Sequence, residues 1–480
     1  MLQSEVGIKR ATPESTGLSS KEILDFIDAV ERADLELHSL MVVKNRHVIA
    51  EGWWKPFSHD DPHLLYSLSK SFTSTAIGFA VQEGLLQIDD PVISFFPEQL
   101  PPNPSELLAS MKVRHLLSMS TGHAADDMYE MHGREDGDWV RGFLAREVVY
   151  EPGTHFLYNS SASYVLSAII SKVTGQTTLD YLRPRLLDPL GIEKATWETC
   201  PKGISVGGWG MSVTTDAIAR FGLFYLLKGV WDGKRLLNEA WIEDATSFHI
   251  SNGDNPDSDW AQGYGFQFWR SKHHAYRGDG AFGQFCIVIP DVQMVVAITA
   301  STTNMQAILD NVWKHLVTPA RVAYIPESPD WEIALKAKLA TLVLPAPKGH
   351  SHSPKAAEVS GLDFKPTNEL SKISHCTFDF DDDGCTFTTI TGKGEKVLRV
   401  GVNHWIHEES TYEWPEPKPI ATIGKWVTPD AFEIKIRYVE SPAGITILCE
   451  FGENTVNVSS TLTGRFGSPE GPRFDGSTCL

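Results

Sequence analysis

Two stretches far apart in the chain carry the same pattern, and together they constrain the fold more than any other feature. LHSLMVVKNRHVIAEGW (37–53) is an apolar run, a turn at Lys44-Asn45-Arg46 and a second run; FCIVIP (285–290) and MVVAIT (294–299) repeat that arrangement around Asp291-Val292-Gln293. Each reads as a β-hairpin. Elsewhere the spacing is helical. Ser19-Ser20-Lys21-Glu22 has capping-box form, and Ile23, Phe26, Ile27 and Val30 follow at helical intervals, which predicts a helix over about 20–33. A last helix is expected over about 305–316. Hairpins at both ends of a segment with helices between them predict an α+β domain, in which one antiparallel sheet is built from both ends and flanked by helices.

Beyond that segment the chain changes character. WEIALKAKLATLVL (331–344) has the composition of a helix, and PAPKGHSHSPKA (345–356) that of a linker. Then come short alternating runs, CTFTTI, KVLRVGV, FEIKIRYV and GITILCEF, separated by turn residues. The expected organisation is a first domain over 1–330, a helix and linker over 331–356, and an all-β meander or small barrel over 357–480.

Charge narrows the partners. Against 61 Asp and Glu stand 42 Lys and Arg, a net charge of -19 that repels phosphate backbones and anionic lipid surfaces. Nucleic acid and membranes are therefore not expected partners; a small molecule is. The first residues, MLQSEVGIKRATPEST, hold no apolar signal core, which predicts a cytoplasmic location. Six cysteines (Cys200, Cys286, Cys376, Cys385, Cys449, Cys479) without C-x-x-C pairing predict reduced thiols rather than a disulfide frame or zinc ribbon.

The chemistry is concentrated in LLYSLSKSFTSTAIGFAVQEGLL (64–86), which contains Ser67-Leu68-Ser69-Lys70. Leu68, Phe72, Ala76, Phe79 and Ala80 form one apolar helical face and Gly84 is a natural stop, so Ser67 opens a helix. Positions i and i+3 share a face, which brings the Lys70 amine within reach of the Ser67 hydroxyl. The positive helix end and burial both disfavour the ammonium and push Lys70 toward the neutral amine that a base must be. An ordinary solvated lysine also fits this motif taken alone. In EPGTHFLYNSSASYVLSAIISKVTG (151–175), Tyr158-Asn159-Ser160 precedes an apolar helix. Tyr158 and Ser160 on that turn can point into one cleft, with Tyr158 relaying protons; a tyrosine half-buried in a helix cap is the alternative.

With these motifs in place the sequence resembles the serine β-lactamase and penicillin-binding protein superfamily, most of all the class C β-lactamases and their family VIII-type esterase relatives. The resemblance runs from about residue 8 to 318 through YSLSKS, EGLLQIDDPV, VRHLLSMSTGH, PGTHFLYNSSASYVLSAII, LDPLGI, GGWGMSVTTDAIARFG and GAFGQFCIVIP. It implies a five-stranded antiparallel sheet between helices, with a helical insertion. It also implies hydrolysis of a carboxylic ester, lactone or amide through an acyl-enzyme, esters being favoured, with no cofactor and no metal. By resemblance Ser67 is the acylated nucleophile, Lys70 its base and Tyr158 the tyrosine of the second box. Backbone N–H groups of Ser67 and Ala281 form the oxyanion hole. Ser160, in the place often held by Asn, and Gly278, Asp279 and Gly280 line the substrate site; Trp209, on a stretch read from its own residues as a turn near the cleft, is expected to line it too. Gly278 stands where the family's third box has Lys or His, so a substrate without a required carboxylate is expected unless Arg277 takes the cation's place.

Rival motifs are weaker. Gly203-Ile204-Ser205-Val206-Gly207 matches a nucleophile elbow, but no strand precedes it. Gly278, Gly280 and Gly283 complete a G-x-G-x-x-G, yet a strand rather than a helix follows. Asp379, Asp381 and Asp383 imitate a calcium loop whose twelfth position is Ile390 instead of a carboxylate. His123 is read as structural. Two further functions stay open: a D-amino-acid peptidase or amidase, or weak β-lactamase, of the same superfamily, and a non-catalytic binding or sensor domain with a vestigial site.

Overall fold

The computed structural model describes residues 8–126, 128–321, 325–367 and 373–478; Cys479 and the first seven residues lie outside them. The chain divides into two compact units. One is built from the chain up to Gly52 together with Pro62–Ala340, the other from Trp53–Asp61 together with the chain from Thr341 onward.

The first unit is α+β. Its first helix, α1 (Ser20–Arg32), is capped by the Ser19 side chain, which accepts from the Lys21 N–H, and it buries Ile23, Phe26, Ile27 and Val30 as their spacing predicts. The first hairpin joins β1 (Leu37–Lys44) to β2 (His47–Trp53) through Asn45 and Arg46, whose φ values are 49° and 66°. Two successive left-handed residues make the tight turn whose twist matches that of paired strands. Four more strands complete the six-stranded sheet, apart from short strands that pair elsewhere: β3 (Trp269–Arg270), β4 (Tyr276–Gly280), β5 (Gln284–Ile289) and β6 (Met294–Ala300). Their order is β2-β1-β6-β5-β4-β3, so the two distant hairpins meet along β1 and β6, with Val42 opposite Val296. The five expected strands are all present, and the two-residue β3 extends the edge beyond them.

Every position of β1, β5 and β6 is buried, which requires cover on both faces. Part of that cover is the helix Thr215–Leu226, called α4 here, with α2 (Ser69–Gln82) and α3 (Ser160–Thr174) preceding it in the chain. Phe72 of α2 stacks on Phe221 of α4 at 4.0 Å, and Thr75 shares a 2.7 Å hydrogen bond with Tyr225, so α2 is locked to the sheet's helical layer by both packing and polarity. The helix expected over about 305–316, α5 (Met305–Asn311), ends earlier than its spacing predicts and passes into a wider turn over Val312–Val317; a further helix, Pro329–Ala340, follows it in the same unit.

The second unit is all-β. Ten strands from Phe364–Pro366 to Glu470–Thr478 form one antiparallel sheet that curls on itself. Phe364 pairs with both Cys376 and Thr478, while Gly401 pairs with Ile423, so first and last strands are neighbours and the ring is barrel-like. Phe364, Phe378, Phe387, Trp426, Phe432 and Phe451 fill its interior. Asp381 accepts from the N–H groups of Asp383 and Gly384 and pairs with Arg399, which makes the acidic triplet a hairpin turn. No helix among the described residues is long and apolar enough to cross a membrane.

Candidate active site

Ser67 stands in a single turn of 3-10 helix, Tyr66–Leu68, that runs straight into α2. Lys70, one turn on, is 1% exposed. Its Nζ lies 3.0 Å from Ser67 Oγ, 3.1 Å from Ser160 Oγ and 2.7 Å from the Gly208 carbonyl oxygen. Burial pulls this amine down from 10.5 to about 7, against the opposing pull of Asp126 and Asp279. A neutral amine has two donors and one lone pair. If the donors go to Gly208 O and Ser160 Oγ, the lone pair is left for the Ser67 hydroxyl, which is the geometry of a general base.

The Tyr158 hydroxyl stands near enough to Ser67 to interact with it, and Lys70 Nζ lies 4.8 Å from the centre of its ring. Burial, reinforced by the Asp279 carboxylate, holds this phenol above its ordinary range. It is a protonated group at neutral pH, suited to giving a proton rather than taking the first one. Trp269 stacks on the ring at 5.1 Å and Tyr264 meets it edge-on, so its position is fixed by aromatic packing.

The third box faces two ways because strand residues alternate. Gly278 and Gly280 of β4 close against the segment carrying Ser67: a Cβ on Gly278 would strike Leu68 and Ser71, and one on Gly280 would overlap the Leu65 carbonyl oxygen. The space a cationic side chain would need at position 278 is therefore taken by α2. Arg277 and Asp279 point the other way. Arg277 is 0% exposed, donates from Nε to Asp279 (2.9 Å) and from Nη1 to the Asp259 carbonyl (2.9 Å), and lies over the Trp260 ring at 4.6 Å. It is committed to that wall instead of standing as a free cation in place of Gly278.

Ala281 occupies the turn that follows β4. Tyr66, before Ser67, and Phe282, after Ala281, both have left-handed backbones (φ 47° and 66°), and their rings meet at 5.5 Å. Strained residues of this kind persist only where neighbours over-determine them. Here they flank the two N–H groups expected to receive an oxyanion, and sequence spacing gave no sign of either. Gly280→Ala is expected to destabilise the chain by about 1–3 kcal/mol, read as a lowered melting temperature, and to depress turnover; wild-type values for both would mean the strand stands clear of Leu65.

Trp209 follows Gly208 directly, and its ring lies 5.2 Å from His132 and 6.2 Å from Trp139 in an aromatic cluster beside the Lys70 acceptor. Ser205 is 0% exposed, and its carbonyl is held by Ser167 Oγ, so the elbow-like motif is a buried turn. His123 packs edge-on against Phe143, and burial lowers it to about 4, which suits a structural histidine. Asp126 and Gln267 were not marked by the sequence. Asp126 accepts from the Ser160 N–H and the Ser161 hydroxyl; Gln267 accepts from Ser163 and donates to the carbonyls of Leu116 and Leu117. Among the described residues one trio of ligand-type side chains is close enough to share an ion, Glu22, Asp25 and His315, and Lys21 already bonds Asp25 there.

Residues 28–317, more than half of the chain, match the family model described as Beta-lactamase. The 6-aminohexanoate-dimer hydrolase of Paenarthrobacter ureafaciens is 28% identical over 218 residues, 43% of this chain and 56% of that protein, so the chain spans little more than half the length of this relative. Penicillin-binding protein 4 of Amycolatopsis lactamdurans is 24% identical over 300 residues, 54% of this chain and 77% of that protein. Among solved structures, the octameric penicillin-binding protein homologue from Pyrococcus abyssi superposes with a TM-score of 0.51 at 16% identity, covering 95% of this chain and 99% of that one, a likeness of fold that takes in the β-rich unit.

Proposed function

Because this chain belongs to the beta-lactamase family, we propose that it hydrolyses a small carboxylic ester, lactone or amide through an acyl-enzyme on Ser67. The observation that carries this reading is the buried Lys70 amine, held between Ser67 Oγ, Ser160 Oγ and Gly208 O and lowered to about 7.

Protein groups account for each proton. Lys70 takes the Ser67 proton as Oγ attacks the carbonyl carbon, and the tetrahedral oxyanion rests on the N–H groups of Ser67 and Ala281. When the bond to the leaving group breaks, Tyr158 gives that group its proton, and the Lys70 ammonium gives its own to the Tyr158 oxygen, so that both groups return to the forms in which they began. Water then attacks the acyl ester, losing a proton to Lys70, and Ser67 leaves with a proton restored. Gly278 brings no cation to the cleft and Arg277 is engaged with Asp279, which favours substrates without a required carboxylate.

A fluorophosphonate probe is expected to label Ser67 once per chain, and a panel of esters, lactones, β-lactams and D-amino-acid amides to show esters turned over fastest. Since only the neutral amine is a base, kcat/KM should rise with pH through about 7, the value burial gives Lys70. Failure to label, or an acid limb in the range of a carboxylate at about 4–5, would overturn the assignment of nucleophile or base. Amide hydrolysis is the second reading, favoured by the name of the 28% identical relative; faster turnover of linear amides than of esters in the same panel would establish it. A vestigial binding domain would show no acyl adduct by intact mass spectrometry.

A further inference from the structure

The first turn of α3 begins on a carboxylate that belongs to another part of the chain. Asp126 Oδ2 accepts the Ser160 N–H at 2.8 Å and Oδ1 accepts the Ser161 hydroxyl at 3.0 Å, while Asn159 caps the same helix by accepting the Ala162 N–H at 3.0 Å. The first N–H groups of a helix have no partner within it and its start is electropositive, so a carboxylate here is held by charge as well as by hydrogen bonds. Ser160 is thereby fixed at its backbone, and its Oγ is the atom 3.1 Å from Lys70 Nζ. A continuous polar chain runs from Asp126 through Ser160 and Lys70 to Ser67.

Resting on the acyl-enzyme reading above, we propose that Asp126 is a positioning residue of the site: it holds the first turn of α3 so that Ser160 Oγ stays against Lys70, and it places a negative charge behind that pair. The charged or titratable groups that bear on Lys70 are Asp126, Asp279 of β4 with its partner Arg277, and Tyr158; His132 in turn faces Asp126. Asp279 is neutralised in part by Arg277 at 2.9 Å, whereas half-buried Asp126 accepts from two uncharged donors, the Ser160 N–H and the Ser161 hydroxyl, with Arg146 donating to the adjacent Ala125 carbonyl at 2.8 Å. A negative charge favours the ammonium, so its removal makes the amine easier to deprotonate.

The test is the pH profile of kcat/KM for the full-length chain on whichever panel ester it hydrolyses. Asp126→Asn keeps the shape and removes the charge: its acid limb should move down by about half a pH unit, the size of a partly screened charge at short range, and kcat at the optimum should fall about tenfold. Asp126→Ser, a second neutral variant, should shift the limb in the same direction. Asp126→Glu should leave the limb at the wild-type pH, as should Ser161→Ala, which removes one anchoring donor and no charge. A merely structural role would lower kcat without moving the limb. Neutral variants that fold, label at Ser67 and keep the wild-type limb would overturn the role of Asp126 alone, as would an Asp126→Glu limb shifted like that of Asp126→Asn. A wild type that does not label at Ser67 would overturn the acyl-enzyme reading and this proposal with it.

Discussion

Ser67→Ala is expected to cut turnover of any substrate the chain hydrolyses by about 1000-fold or more, the usual cost of removing a nucleophile from a site whose other parts remain. Two other hydroxyls are candidates to replace it, and both are badly placed. Ser160 Oγ also touches Lys70, but its backbone N–H is spent on Asp126, so an oxyanion formed there has no donor from the attacking residue. Ser205 is sealed in a turn between α2 and α3, where Thr73 and Ser167 hold the neighbouring carbonyls. On the proposed mechanism, the residual rate would be that of water attacking a carbonyl polarised by the backbone donors of residues 67 and 281. Stability should hardly change, because the variant loses hydrogen bonds worth about 1 kcal/mol each at a half-buried position. The measurement pairs steady-state turnover with fluorophosphonate labelling and a thermal melt. Activity within tenfold of wild type in a folded, unlabelled variant would mean that another residue is acylated.

The sequence was legible where function and fold depend on short-range pattern. Both hairpins, the α1 cap and the Ser67-to-Lys70 spacing are local, and each fixes its geometry within a few residues. What spacing could not show is set by contacts between distant segments. Asp126 reaches the Ser160 N–H 34 residues away, and Gln267 reaches Ser163 104 residues away; neither lies in a stretch whose pattern distinguishes it. Asp259 is the sharpest case. It sits in SNGDNPDSDW, where Asp254 and Asp257 look equivalent to it, yet it is 0% exposed and accepts from the Lys272 N–H, Gln306 Nε2 and Trp313 Nε1. A buried carboxylate is tolerable only with such a set of donors, and no local rule finds three donors drawn from two other segments of the chain.

The third box illustrates the same limit on a smaller scale. Strand alternation alone says that Arg277 and Gly278 face opposite ways, but it does not say which way is the cleft. The glycines decide it by what they touch: α2 and the chain before Ser67 fill the space beneath Gly278 and Gly280. The strand's only cation thereby falls on the side of Trp260 and Asp259, and the site is left with Lys70 as its one amine in contact with the Ser67 hydroxyl.

Lys70→Met is expected to lower kcat by about 100- to 10,000-fold, the range spanned by loss of a general base, while KM changes little because the side chain lies beneath Ser67 rather than in open cleft. Methionine matches lysine in length and apolar character, so the buried stem is replaced nearly atom for atom. Two opposing effects govern its stability. Gly208 O and Ser160 Oγ lose a donor, costing about 1–3 kcal/mol for a buried acceptor left unpaired, while the burden of burying an ionisable amine disappears. The melting temperature should therefore move only slightly. The pH profile carries the decisive information: the acid limb near 7 should vanish along with the amine that produces it. Lys70→Arg then separates base from cation. A guanidinium keeps the positive charge but never deprotonates at accessible pH, so this variant should be as inactive as Lys70→Met. If it instead retained activity within tenfold of wild type, Lys70 would be acting through its charge, and the first proton from Ser67 would have to pass to Tyr158, a phenol that its buried surroundings hold protonated.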